Sequence, residues 1–159
     1  MIFIGCGSSQ SSDVTSAMSV EKGSQSAKET SAEKAYRERF VAISAELEAV
    51  PKPEQGSDPE IFLTTLKDSH EKERTIIESL GEIEAPPKYK EFHKTLVEWK
   101  RERWALDEEG ISYLSDKELE KVDELSNRID QVGESYTKRI DEIVKSHGYN
   151  STEKFLGIN

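Results

Sequence analysis

The segment from Leu119 to Val144, LEKVDELSNRIDQVGESYTKRIDEIV, carries the clearest structural signal in the chain. Apolar or small residues recur there at alternating spacings of three and four: Leu119, Val122, Ser126, Ile129, Gly133, Tyr136, Ile140 and Ile143. This period is that of an α-helix, whereas a half-buried strand would alternate with a period of two. Charged residues fill the other faces, so the segment predicts a long amphipathic helix with one buried stripe.

The composition of the whole chain agrees with a bundle of such helices. Apolar residues make up 34% of the 159 residues and charged residues another 34%, and the first value is low for a compact globular protein. A helical bundle folds with few apolar residues because each helix buries only about three positions in seven. Without the helical periodicity, the same composition would predict disorder.

Three more helical stripes precede this segment, separated by breaks that contain proline. The predicted helices cover about 29–50, 59–84, the stretch from Pro87 to about 113, and 119–147. Asp58 is a predicted N-cap with Pro59 at the first helical position. Ser115 and Glu118 form a capping-box pattern before the fourth helix.

The short connections between these helices predict that neighbours run antiparallel. We therefore expect an all-α fold, an antiparallel up-down helical bundle of three to four long helices that occupies residues 29–148. Residues 149–159 form a C-terminal tail, in which Phe155, Leu156 and Ile158 can dock on the end of the bundle.

A polar layer interrupts the apolar stripes near the middle of the second and third helices. Its members are His70, Glu73, Trp99, Arg103 and Trp104. Arg103 lies on the apolar stripe of its helix, and its simplest role is structural: it pairs with a carboxylate while its stem lies on the tryptophans. The alternative is a cleft near Arg103 that binds a small anionic or aromatic ligand.

The turns also predict which residues of neighbouring helices face each other. A reversal around Ala85 places Arg103 near Lys67 and Asp68. A reversal around Ser115 places Trp99 opposite Gly133, so that a large side chain meets a small one as dense packing requires.

Known catalytic and metal-binding patterns are not found in the sequence. The segment His70-Glu71-Lys72-Glu73-Arg74 begins like the zinc-protease helix, but residue 74 is arginine where that motif has its second histidine. The single cysteine excludes cysteine-cluster metal sites and an intramolecular disulfide. We therefore predict no catalytic residues, no metal site and no cofactor, and that the protein is not an enzyme.

The net charge of −10 bears on possible partners. It repels nucleic-acid phosphates, and no basic patch in the sequence offsets that repulsion. We predict no nucleic-acid partner and no binding to anionic lipid through surface charge.

The N-terminus explains the position of the only cysteine. Phe3-Ile4-Gly5-Cys6 combines apolar residues, a small residue and then cysteine, and eight serines follow between Gly7 and Ala27. We expect residues 1–5 to be the remnant of a signal peptide whose start lies upstream. Cys6 is then the lipid-attachment residue, and residues 6–28 form a flexible, serine-rich tether.

With its lipobox-like start, serine-rich tether and helical domain, the chain resembles the small lipoproteins of Gram-positive bacteria. The resemblance implies a lipid anchor on Cys6, with palmitate among its acyl chains, and a location at the extracytoplasmic face of the cell membrane. It identifies no activity. We expect a surface-exposed lipoprotein that binds a protein or cell-envelope partner without catalysis, and the alternative is a small-ligand sensor or carrier with an interhelical cleft near Arg103.

Overall fold

A computed structural model describes residues 29–158 and confirms the all-α prediction. Four long helices pack against each other, and a short fifth helix follows. Their ranges are Ser31–Glu48 (α1), Pro59–Gly81 (α2), Lys90–Asp116 (α3), Leu119–Ser146 (α4) and Thr152–Leu156 (α5). The predictions for Cys6, for the signal-peptide remnant 1–5 and for the tether 6–28 lie outside the described residues.

Side-chain caps fix the starts of the first two helices. Thr30 and Glu33 form a reciprocal capping box, in which the Thr30 N–H donates to the Glu33 carboxylate at 2.8 Å. Asp58 accepts the Glu60 N–H at 2.9 Å, and Pro59 occupies the first turn. The second cap was predicted from the sequence, since proline has no N–H to leave unsatisfied there.

The predicted capping box at Ser115 is wrong. Ser115 lies inside α3, where its hydroxyl donates to the Ile111 carbonyl at 2.8 Å. The chain instead reverses at Lys117, which adopts a left-handed conformation with φ of 62°, and at Glu118. The extra turn of α3 changes which residues of α3 and α4 lie side by side.

The core surrounds the first half of α3, which is the central helix. Tyr36 and Phe40 from α1 contact this region, with ring centroids 4.8 Å apart for Tyr36 and Tyr89 and 6.1 Å apart for Phe40 and Phe92. The buried members of the cluster are Tyr36, Phe40, Ile43, Leu80, Tyr89, Phe92, Leu96, Val97, Ile140, Ile143, Val144, Phe155 and Leu156.

The C-terminal segment docks on the bundle as predicted, and its Phe155 and Leu156 are part of the buried core. Phe155 is 1% exposed and packs edge-on against Tyr89 and Phe92, with centroids 5.2 Å and 5.5 Å apart. The Lys88 ammonium lies 4.8 Å from the Tyr89 ring centre and 5.3 Å from the Tyr149 ring centre. These cation–π contacts join the α2–α3 corner to the segment that leads into α5.

The first helix covers only part of the bundle, and this divides the molecule into two ends. The Ser69 hydroxyl donates to the Pro51 carbonyl at 2.5 Å, so the chain has already left α1 at the level of Ser69. The Trp104 N–H donates to the His70 carbonyl at 2.9 Å, which marks the same level on α3. We call the part that includes α1 and α5 the four-helix end. The three-helix end comprises residues 59–69, 104–116 and 119–133.

In the part of the chain that the structure describes, none of the helices combines the length and the hydropathy needed to cross a bilayer.

Candidate functional site

The boundary between the two ends holds the predicted polar layer, and two of its members stack on each other. The rings of His70 and Trp104 are nearly parallel, with centroids 4.2 Å apart and planes inclined by 8°. The Trp104 N–H also donates to the His70 main-chain carbonyl. Nε2 of His70 is buried without a hydrogen-bond partner among residues 29–158. The His70–Trp104 ring stack and the Trp104 hydrogen bond together join α2 to α3 at this level.

Arg103 is more exposed than the sequence predicted. Nearly half of its side chain, 49%, is exposed, and its Nε donates to the Asp107 carboxylate at 2.9 Å on the same helix. Arg103 thus pairs with a carboxylate, as its structural role predicted, and the partner is Asp107 of its own helix. Arg103 does continue the α3 face that begins with Phe92, but α1 has ended at this level and no longer covers that face.

Glu73 and Trp99 are both half-buried, and Lys100 lies with them. Burial lowers the pKa of the Lys100 ammonium, and the negative charge of Glu73 opposes that shift. The nearby cation Arg103 lowers the pKa further. The sequence interpretation missed Lys100, although its spacing of four from both Leu96 and Trp104 places all three on one helical face.

Polar pairs set the alignment of α3 and α4, and they differ from the predicted facing pairs. Glu98, directly before Trp99, lies 3.5 Å from Arg139, and Arg128 lies 2.8 Å from Glu109. Trp99 is therefore well displaced from Gly133, and a methyl group added at Gly133 would meet no atom within 4 Å. The predicted Trp99–Gly133 contact is wrong because the chain reverses after Lys117.

The true close approach between these helices occurs at Gly110. A Cβ atom there would lie 3.0 Å from Cδ2 of Leu125, which is 3% exposed. A small residue therefore does face a large one between α3 and α4, but the pair is Gly110 and Leu125, because α3 is longer than predicted.

Apolar side chains at the three-helix end are incompletely covered. Ile61 and Leu119 are 62% and 65% exposed, although buried residues such as Leu106 hold this end together. The stripe positions that are only half-buried are Phe62, Leu63, Leu66, Leu114, Val122, Ile129 and Val132. The corresponding stripe of α4 at the four-helix end is buried at Ile140, Ile143 and Val144.

Two depressions on the described part of the chain are shallow. One depression, of about 400 Å³, lies where α1 ends and is lined in part by Val50, Lys72 and Ile76. A smaller one, of about 280 Å³, lies beside Ile61. Both are open to solvent, so neither has the enclosed shape typical of a small-molecule site.

Residues 29–158 contain no group of three or more histidine, cysteine, aspartate or glutamate side chains placed to hold a metal ion. The chain matches no protein-family model, and neither a curated protein nor a solved structure shows significant similarity to it.

Proposed function

We propose that this protein is a non-catalytic binding protein of the cell envelope, tethered to the membrane by lipid on Cys6. Its bundle faces the extracytoplasmic side and binds a protein or envelope partner through the three-helix end. The observation that supports this proposal is the incomplete burial of apolar side chains at that end, where Ile61 and Leu119 are 62% and 65% exposed, because exposed apolar surface on a soluble protein often marks a binding site.

The sequence supports the membrane part of the proposal. Cys6 follows a small residue and an apolar run, and the serine-rich segment 6–28 is long enough to hold the bundle away from a bilayer. A diacylated cysteine provides two acyl chains, which anchor a protein stably where one chain does not.

Lipidation is tested with the gene expressed from its own upstream sequence in a bacterial host that carries the lipoprotein pathway. Palmitate labelling is expected for the wild-type protein and not for Cys6→Ser, and only the wild type should sediment with membranes. An unmodified thiol on wild-type protein in the soluble fraction would contradict the anchor.

Binding through the three-helix end is tested with a photo-crosslinking amino acid at Leu119. The matched control carries the same amino acid at Val41, which is 41% exposed on α1. A discrete adduct that forms on intact cells from position 119 and not from 41 supports the proposal. Equal adducts from both positions, or none from either, would contradict it.

A second candidate is a small-ligand sensor or carrier at the polar layer. Its support is the presence of two cations, Lys100 and Arg103, at the level of Trp99 and Trp104. Titration of anionic aromatic compounds with tryptophan fluorescence as readout tests this candidate. A saturable change that Arg103→Leu abolishes would favour it, whereas a higher melting temperature of Arg103→Leu with no other change favours a structural role.

A further inference from the structure

We propose that the anchored bundle meets an anionic bilayer with one defined surface, the tether end, and holds its three-helix end away from the lipid. The tether end comprises residues 29–40, 82–94 and 138–158. This inference rests on the lipid anchor of the proposed function and specifies which surface of the bundle faces the membrane. The partner of that surface is the headgroup layer of the bilayer.

The three parts of the tether end lie together in the structure. Tyr36 of α1 stacks on Tyr89 at the α2–α3 corner, with ring centroids 4.8 Å apart, and Tyr89 meets Phe155 of α5 at 5.2 Å. A methyl group added at Gly157 would lie 2.9 Å from a guanidinium nitrogen of Arg37. The start of α1, to which the predicted tether is joined, therefore belongs to the same end of the bundle as the C-terminal segment.

The two ends of the bundle differ in net charge. The tether end contains ten lysines and arginines and nine aspartates and glutamates, so its charges nearly cancel. The three-helix end contains three basic and ten acidic residues, an excess of seven negative charges out of the net −10 of the chain. The negative charge of the protein is therefore concentrated at the end that lies farthest from the tether.

The distance between the ends makes this asymmetry effective at a charged surface. The 28 residues of α4 connect the two ends and span roughly 42 Å at 1.5 Å per residue. The field of an anionic bilayer falls off within about 8 Å at physiological ionic strength. Only one end of an upright bundle therefore lies in that field. The carboxylates of the three-helix end are repelled from it, whereas the nearly neutral tether end is not.

Exposed side chains of the tether end are compatible with a headgroup layer. Lys90, Lys145 and Lys154 are exposed there, and ammonium groups close to a bilayer are attracted to anionic headgroups. Glutamates at the same end balance these charges, so the acyl chains on Cys6 supply the attachment and the charges supply the orientation. In this orientation, Ile61 and Leu119 lie on the side away from the lipid, where a partner has access to them.

The test couples the full chain through Cys6, its only thiol, to a maleimide lipid in vesicles of phosphatidylcholine and anionic phosphatidylglycerol. A fluorescent amino acid replaces either Leu119 at the three-helix end or Asn150 at the tether end, both exposed and uncharged. Energy transfer to an acceptor lipid should be at least about twofold more efficient from position 150, since the ends of α4 lie roughly 42 Å apart. Equal transfer from both positions at low salt would overturn the proposal.

Salt and lipid charge distinguish electrostatic orientation from the effect of attachment at one end. In about 1 M salt the screening length falls to about 3 Å, so the ratio of transfer from position 150 to transfer from position 119 should decrease. The same decrease is expected in vesicles of phosphatidylcholine alone. A ratio that neither change affects would overturn the proposal.

Charge reversals locate the effect on the bundle. Asp123→Lys with Glu124→Lys at the three-helix end should lower the transfer ratio on anionic vesicles, because this end is then repelled less. Asp141→Lys with Glu142→Lys is the matched pair at the tether end and should not lower the ratio. All four residues are exposed on α4, and circular dichroism verifies that each variant is folded. An equal decrease for both pairs would overturn the proposal.

The outcomes separate this inference from the proposed function. The vesicle assay supplies the anchor chemically, so it reports orientation whether or not cells acylate Cys6. Crosslinking from Leu119 on intact cells, together with equal transfer from both positions, would retain the proposed function and overturn this inference. Absence of palmitate labelling, together with the expected transfer ratio, would contradict the anchor of the proposed function and support the orientation of a tethered bundle.

Discussion

At the residue scale, His93 links the pH of the medium to the stability of the core. It is 7% exposed, its Nδ1 lies 3.2 Å from the Tyr36 hydroxyl, and its Nε2 has no hydrogen-bond partner among residues 29–158. Burial lowers the pKa of His93 more than the nearby Leu80 carbonyl raises it. The folded state therefore favours the neutral imidazole.

The sign of the pH dependence follows from this lowered pKa. Below the unfolded-state pKa of about 6.5, the unfolded chain binds a proton that the folded protein resists, so the free energy of unfolding falls with pH until the folded pKa is passed. Urea unfolding at pH 7.5 and 5.5 should show this loss, and His93→Leu with Tyr36→Phe should reduce it. His147→Gln, at an exposed imidazole, should preserve it. An equal loss in the double variant would contradict the assignment.

Residues of the polar layer show what sequence patterns predict and what they leave open. The patterns identified His70 and Trp104, which the structure brings into contact, because aromatic and polar residues at stripe positions are visible from spacing alone. They predicted a carboxylate partner for Arg103 but did not identify it as Asp107, one turn along the same helix. They missed Lys100, because a lysine is ordinarily assigned to the solvent face.

At the scale of the helical elements, the α3–α4 turn depends on an unfavourable residue. Lys117 has φ of 62°, a left-handed conformation that favours glycine. Lys117→Gly should raise the free energy of unfolding by about 1 kcal/mol, measured as a higher urea midpoint at unchanged slope. Gly148→Ala, at φ of 81° with open space around the new methyl group, should lower it by about 1 kcal/mol. A destabilised Lys117→Gly would show that the lysine side chain contributes more than its backbone strain costs.

The contact between α2 and α3 gives a second prediction at this scale. Trp104→Phe retains a stacking ring for His70 but removes the donor to the His70 carbonyl, so we expect a loss of about 1–2 kcal/mol in unfolding free energy. Trp99→Phe is the matched control, because the Trp99 N–H makes no hydrogen bond within residues 29–158. Chemical unfolding of both variants measures the difference. Equal losses would show that the hydrogen bond contributes little beyond ring size.

The helical elements were predictable to different degrees. Each stripe was visible because its apolar spacing is local, and the α2 start followed from Asp58 and Pro59. The α3–α4 boundary was not, because Ser115 satisfies a capping pattern equally well as an interior serine bonded to the preceding turn. Because α3 ends a few residues later than predicted, the predicted alignment of α3 and α4 was shifted, and Trp99 does not face Gly133.

At the scale of the whole molecule, the all-α bundle could be predicted from the helical periodicity and the short connections. That α1 covers only one end of the bundle could not. The sequence shows that α1 is shorter than α3 and α4, but its coverage depends on which end of the bundle it occupies. Tertiary contacts decide this point: Tyr36 packs at Tyr89, and Pro51 accepts from Ser69. The open three-helix end is a consequence of these contacts.

This unevenness predicts a gradient of local stability along the bundle. Amide hydrogens of residues 92–97 and 140–144 lie in the buried four-helix core, whereas those of 106–116 and 119–132 belong to helices with fewer buried neighbours. Because local opening requires less free energy where less apolar surface is buried, hydrogen exchange monitored by mass spectrometry should be about tenfold or more faster in the second group. Uniform exchange along α3 and α4 would show that three helices suffice to close this end, and the apolar face would then need no partner.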